Sequence, residues 1–474
     1  MQLQDIFILA LLLFFLRLIP SIRIKHIAVM ISSVICIFTF QPILPIRGLD
    51  FTLPTMTILL TICVYGAFSK QNPITTKNNL IDAAIVLVSI ILISATRFIS
   101  YDGILTASRP PQPVRILPGL LGGTGLALLI NYLIQKEKKW PVHFCIYFII
   151  MILVILKTPQ ITLLFSRMAR SLNGQSSDMA LPADIRWFGF SYIAFRLLSI
   201  LIDSSKGRKT DIGLSEFFVY VCFPPALSAG PIDRWDRFCK EYRIESKNTI
   251  TEDLYSGLGQ ITLGLFHKFI LADALAKMAV SSQNAGQFIH KGWAWAALFS
   301  YALQIYFDFC GYSEIAVGLG MLFGIHLPKN FDHPYLKPDL TRFWSSWHIT
   351  LTQWIRSYVF NPLTRWLRSN KSRPMPKWLI ILITQLTTML LIGLWHGVTV
   401  NFVIWGLWHG IGLFVHQFYS QKTWAWLRST HICFQKIYTV CSTLLTIIYV
   451  SLGWVWFVIP DFGDALKFFG RLFI

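Results

Sequence analysis

The strongest constraint on this chain is a succession of long apolar runs separated by loops that hold most of its charge. The first run covers Ile6–Pro20, and others begin near Ile27, Phe51, Leu80, Ile116, Val142, Trp187, Leu254, Trp293, Trp378, Asn401 and Tyr438. Several are long enough to cross about 30 Å of hydrocarbon at about 1.5 Å per helical residue. Lipid offers no partner to backbone N–H and C=O groups, so such runs close their hydrogen bonds internally as helices. The pattern predicts an all-α, polytopic integral membrane protein with roughly a dozen membrane-embedded helices. The run at Ile6–Pro20 follows Asp5 rather than a basic stretch, and reads as a retained helix, not a cleaved leader.

The charge balance fits this reading. Only 14% of the 474 residues are charged, yet 42 Lys and Arg stand against 23 Asp and Glu, a formal charge of +19. Short cytoplasmic loops collect Lys and Arg. Four short loops, at Arg17/Arg23/Lys25, Lys70/Lys77, Lys136/Lys138/Lys139 and Lys206/Arg208/Lys209, carry eleven basic residues against eight in the longer loops between them. That bias places the N-terminus outside and predicts a multi-pass protein of the cell membrane. Because the basic residues lie in loops between apolar runs, no nucleic-acid partner is expected. No two of the eight cysteines are spaced C-x-x-C, so neither a disulfide framework nor a zinc site is suggested.

Three local features guide the organisation. GLLGGTG at Gly119–Gly125 lacks a following Lys, and its Gly119/Gly123 pair suits close helix packing better than phosphate. The Arg109–Pro113 stretch reads as a stiff connector. Pro224–Pro225 interrupts an apolar run ahead of the basic Arg234–Lys247 stretch, which predicts a broken or re-entrant segment.

Polar side chains inside apolar segments are costly, and each is a functional candidate. In YALQIYFDFCGYSEIAVGLG, Gln304 and Asp308 are four apart and share a helix face with Gly311 and Tyr312. The carboxylate suits the orientation of a substrate, the support of a neighbouring histidine, or a plain helix–helix hydrogen bond. In TRFWSSWHITLTQWIRSYVF, Trp347, Leu351, Trp354 and Tyr358 form one apolar stripe, with His348 at its edge. In TMLLIGLWHGVTVNFVIWGLWHG, His396 ends an apolar run just before Gly397. A neutral imidazole is the side chain best suited to take a hydroxyl proton near neutral pH. His409 is 13 residues on, about 220° around a helix from His396. There is no H-E-x-x-H or G-x-S-x-G, so metal-dependent and serine-type hydrolysis find no support and no metal is expected.

The blocks QIYFDFCGYSEIAVGLGMLFGIHLPKNFDHPYL, RFWSSWHITLTQWIRSYVFNPL and GLWHGVTVNFVIWGLWHG resemble the membrane-bound O-acyltransferase family. The likeness is to its bacterial branch, which includes the membrane subunit of alginate O-acetylation and the D-alanyl transfer protein of teichoic acids. GFSYIAFR, AGPIDRWDRF, GLFHKFILADALA and SLGWVWF add weaker support. The resemblance implies helices around a funnel or tunnel, with His396 and His348 catalytic. Asp308, Tyr312, Gln304, Trp395 and Asn401 become supporting or substrate-binding candidates. It implies no bound cofactor, an acyl donor such as acetyl-CoA as co-substrate, and an exported polysaccharide or an extracellular relay protein as acceptor. D-alanyl transfer from a carrier protein, and a transport channel using Asp308, Glu314, Arg196 and Lys268, are the rival readings. The expected organisation is an N-terminal helical region over 1–180, a core over 185–460 and a short tail over 461–474.

Overall fold

The computed structural model describes residues 3–69, 73–136, 138–243, 249–369, 375–428 and 431–474, with backbone alone over 421–428. Among these the regular structure is helical, and a single bridge pairs Ser69 with Thr210. Among the described residues, eight helices are long and apolar enough to cross a membrane: Ile22–Thr39, Leu49–Phe68, Lys77–Phe98, Pro113–Gln135, Trp140–Lys157, Ile250–Ala276, Lys377–His396 and Ile432–Val458. The chain divides into two compact units, Met1–Ile261 with Ile315–Leu327, and Thr262–Glu314 with Pro328–Ile474.

In the first unit, the Leu49–Phe68 and Pro113–Gln135 helices pack closely because one glycine on each is bare. A Cβ at Gly123 would stand 2.5 Å from Leu59, and one at Gly66 would meet the buried Asn131 side chain. Asn131 donates to its own helix at Ala127 O (2.7 Å) and to Cys63 O (3.3 Å) across the contact. The Gly119/Gly123 pair therefore packs through Gly123 only; a Cβ at Gly119 would meet nothing within 4 Å.

The chain does break at Pro224–Pro225. The Leu214–Val221 helix stops, and a short turn follows at Pro224–Ala226. Proline offers no N–H there, which leaves carbonyls to be satisfied from elsewhere. The fully buried Arg196 supplies donors, to Val221 O at 2.8 Å and Ala226 O at 2.6 Å.

The second unit is built on the Lys377–His396 and Val400–Arg428 helices. Glycines line their contact: a Cβ at Gly393 would fall 2.3 Å from Phe402 O, and one at Gly406 would fall 2.8 Å from Met389 O. Small residues let backbones approach where lipid removes the usual hydrophobic drive.

The stretch expected as one amphipathic helix around His348 is two, Leu340–Ser346 and Ile349–Ile355. His348 sits between them at φ 45°, a left-handed conformation that few non-glycine residues adopt. The continuous Trp347–Tyr358 stripe is thus interrupted. The reason lies outside the segment, in Asn330, whose backbone and side chain together hold the start of the second helix.

Candidate functional site

Asn330 is 2% exposed. Its backbone oxygen accepts the Ile349 N–H at 2.8 Å, and its Oδ1 accepts from Thr350 N (3.2 Å) and Thr350 Oγ1 (2.9 Å). Its Nδ2 donates to Ser313 Oγ at 3.2 Å. The loop bearing Asn330 is pinned by Asp332, which takes Lys329 Nζ at 2.6 Å and Lys337 Nζ at 2.8 Å. Those two ammonium groups hold the Asp332 carboxyl well below the usual carboxylate range.

His348 Nδ1 lies 3.2 Å from the same Oδ1. A backbone N–H can only donate, so the Thr350 contact identifies that atom as oxygen. Nδ1 must then carry a proton, and in the neutral ring Nε2 holds the lone pair. His348 lies outside the eight apolar helices, and burial pushes its pKa down from the ordinary histidine value, which favours that neutral ring. Its ring meets Phe309 edge-on at 4.7 Å and comes within 6.3 Å of Trp395.

His396 is the last residue of the Lys377–His396 helix. Gly397 is extended there, and a Cβ on it would strike Phe402 at 2.8 Å. The turn therefore brings Phe402 against the imidazole, 5.8 Å between ring centroids, alongside Phe457 at 4.8 Å and Trp395 at 4.6 Å. His396 is half-buried, whereas His348 is 4% exposed. Trp395 thus borders both histidines, and an imidazole pair in an aromatic wall is suited to moving a proton away from bulk water.

The other sequence candidates fall elsewhere. Asp308 does not hold a histidine: it pairs with Lys268 Nζ at 2.5 Å. Gly311 makes that possible, because a Cβ on it would stand 2.8 Å from Lys268 N and 2.6 Å from Gly264 O. The Phe266–Ala272 stretch there is a π-helical turn, which aims Lys268 at Asp308 and His267 at Glu314. His267 Nδ1 and Glu314 Oε2 are 2.7 Å apart, and Cys310 donates to Glu314 Oε1 at 3.6 Å. These three residues have metal-binding chemistry, and their ligand atoms lie within 4.8 Å of one another. Gln304 is half-buried one turn before Asp308, and Tyr312 is buried one turn after it. Asn401 donates to Ile459 O at 2.6 Å and Pro460 O at 3.2 Å, so it closes the end of the Ile432–Val458 helix. His409 is fully buried among aromatics, 4.8 Å from Trp405 and 5.0 Å from Trp344, with no hydrogen bond to either ring nitrogen.

Sequence reasoning missed Asn330 and the His267–Cys310–Glu314 cluster. The only local signal for Asn330 was its place in the polar stretch PKNFDHPY between two apolar segments. A cavity of about 510 Å³ opens near Trp344, Thr352 and Ile392, but neither His348 nor His396 lines it.

The sequence profile of the membrane-bound O-acyltransferase family, MBOAT, matches residues 142–456. The chain is 29% identical over 304 residues to a teichoic acid D-alanyltransferase of Streptococcus thermophilus, covering 63% of this chain and 67% of that one. It is 34% identical over 253 residues to a peptidoglycan O-acetyltransferase of Helicobacter pylori, covering 53% and 45%. It is 32% identical over 290 residues to a protein of Pseudomonas syringae pv. tomato named probable alginate O-acetylase, covering 60% and 51%. The matches thus span from about half to two thirds of the relatives' own lengths.

Proposed function

The chain belongs to the membrane-bound O-acyltransferase family, and from that premise we propose that it transfers an acyl group, acetyl first of all, from a cytoplasmic thioester such as acetyl-CoA to a hydroxyl. The acceptor is an exported polysaccharide or an extracellular protein that relays the group, and the site of action is the cell membrane. The chemistry belongs to the core over 185–460, preceded by the N-terminal helices over 1–180 and followed by a short tail over 461–474. One arrangement carries the reading: two histidines border Trp395, and one of them is fixed by Asn330 as the Nδ1–H tautomer.

His396 takes the hydroxyl proton as the oxygen attacks the thioester carbonyl carbon. The C–S bond then breaks, and the departing sulfur receives that proton, leaving an ester and a free thiol. His348 orients the reacting groups beside the same indole. Trp395, Tyr312, Gln304 and Asp308 are assigned supporting roles, Asp308 through its pair with Lys268. Asn401 is assigned to hold the backbone near His396. The transport reading is the weaker one because Asp308, Glu314, Lys268 and Arg196 all have partners within the fold.

The test is acyl transfer by the purified protein in lipid nanodiscs, with labelled acetyl-CoA and a polysaccharide acceptor. General-base removal typically costs about 10²–10⁴-fold, so His396→Ala should lose at least about 100-fold while keeping its melting temperature. Near-wild-type transfer by that variant overturns the assignment. D-alanyl transfer is the second reading, favoured by the relative named teichoic acid D-alanyltransferase. It predicts no release of free CoA thiol and dependence on a D-alanylated carrier protein.

A further inference from the structure

The first unit contains a cavity of about 860 Å³ that lies almost wholly before the family-matched segment. Four arginines line it, Arg47, Arg97, Arg109 and Arg115, and no acid does. The nearest acid in sequence, Asp50, is 4% exposed and is not part of the wall. None of the four arginines has a carboxylate partner among the described residues. Arg97 instead donates to Pro110 O at 3.0 Å, and Arg109 stacks over Tyr101 at 4.9 Å, so the connector read as a mere spacer holds two of the cations in place. Arg47 and Arg115 stand exposed.

The placement of these charges is unfavourable unless something anionic joins them. Arg47 stands just before Gly48, the N-cap of the Leu49–Phe68 helix, and Arg115 lies in the first turn of the Pro113–Gln135 helix. Both are helix N-termini, where the backbone already presents positive partial charge. Neither N-cap, Gly48 or Gln112, supplies a side-chain hydrogen bond. Two uncapped N-termini and four guanidinium groups make a strong anion-attracting site, and Arg is the side chain whose fork matches phosphate oxygens.

The rest of the wall is mainly apolar, with Thr52, Thr55, Ser108 and Asn173 as its other polar side chains. Phe51, Met56 and Leu59 line it from one helix, and Ile116 and Leu120 from the other. Leu59 also meets Gly123, which closes the two helices together at that level. From Leu49 to Leu59 the wall descends about 15 Å along the helix. The cavity therefore has a cationic mouth and an oily shaft. Along that shaft Phe51, Met56, Leu59, Ile116 and Leu120 outnumber the hydroxyls of Thr52 and Thr55, which suits an acyl chain better than a sugar polymer.

We propose that this cavity is a binding site for an anionic phospholipid, its phosphate held by Arg47, Arg97, Arg109 and Arg115 and an acyl chain laid between the Leu49–Phe68 and Pro113–Gln135 helices. Three helix ends carry the arginines, the start of Leu49–Phe68, the end of Lys77–Phe98 and the start of Pro113–Gln135, and the end of the Pro159–Leu172 helix completes the wall. Alternating spans bring these to one membrane face, the non-cytoplasmic one by the Lys/Arg bias. The proposal does not depend on the acyl-transfer reading.

The experiment is native mass spectrometry of the purified full chain titrated with phosphatidylglycerol or phosphatidylcholine, with inorganic phosphate and an oligouronate as competitors. Wild type should retain phosphatidylglycerol at least about tenfold better than phosphatidylcholine, because the choline ammonium beside the same phosphate is repelled by the four guanidinium groups. The double variant R47Q/R115Q should lose that preference. Gly119→Leu is the second variant, since a Cβ there meets nothing within 4 Å and the added side chain would fill the shaft without disturbing the fold. It should also lower phosphatidylglycerol retention at least about tenfold, with an unchanged melting temperature. Equal retention of the two lipids, or full retention by both variants, overturns the proposal. Displacement of the lipid by the oligouronate at lower concentration than by phosphate also overturns it and assigns the cavity to a polymer.

Discussion

The Nδ1 of His348 and the Thr350 backbone N–H converge on one atom, Oδ1 of Asn330, at 3.2 Å each. One buried amide thus sets both the helix break and the tautomer of the imidazole. Asn330→Leu removes the acceptor from three donors at once, and each stranded buried donor costs about 1–3 kcal/mol. That variant should unfold at lower temperature and lose transfer. Asn330→Asp keeps the acceptor and adds a negative charge, which raises the pKa of His348. Its acid limb in the pH–rate profile should move to higher pH, since a base with a raised pKa stays protonated further up the scale. An unmoved limb would separate the protonation of His348 from turnover.

The Lys268–Asp308 pair offers a stability test. Removing Asp308 leaves the largely buried Lys268 ammonium without its counter-charge, whereas removing both leaves no charge there. Asp308→Leu alone should lower the melting temperature more than Lys268→Met/Asp308→Leu does. A double variant less stable than the single one would show that the pair contributes net attraction.

Gly393 tests the helix contact that seats His396. A Cβ there lies 2.3 Å from Phe402 O, which is backbone and cannot swing aside. Overpacking of this kind costs about 1–3 kcal/mol. Gly393→Ala should lower the melting temperature in detergent by several degrees, and Gly470→Ala, whose Cβ meets nothing within 4 Å, should not. Equal melting temperatures for the two variants would mean that the helices part at no cost.

Much of the architecture was legible because its causes are local. Apolar runs of spanning length specify helices wherever they lie, and Pro224–Pro225 breaks a helix whatever surrounds it. His396 was legible for the same reason, since an imidazole at the end of an apolar run beside Gly397 stands out in the sequence itself. Asp308 stood out equally, yet its partner Lys268 was read only as one member of a transport path. The contact between them depends on the π-helical turn at Phe266–Ala272 and on the bare backbone of Gly311. Neither is a matter of spacing.

The sequence by itself determined that this chain is a bundle of membrane-spanning helices, and which side chains are too polar for that setting to be there by chance. The tertiary structure alone decided which of them meet. The smooth Trp347–Tyr358 periodicity predicts one helix, but Asn330, 18 residues before His348, offers the Thr350 N–H a better-placed acceptor than a continuing helix would. Arg47, Arg97, Arg109 and Arg115 read as scattered loop charges until three helix ends gather them at one cavity. The physical reason is common to both cases: helix formation is settled by neighbours along the chain, whereas a buried hydrogen bond or a charge cluster is settled by neighbours across it.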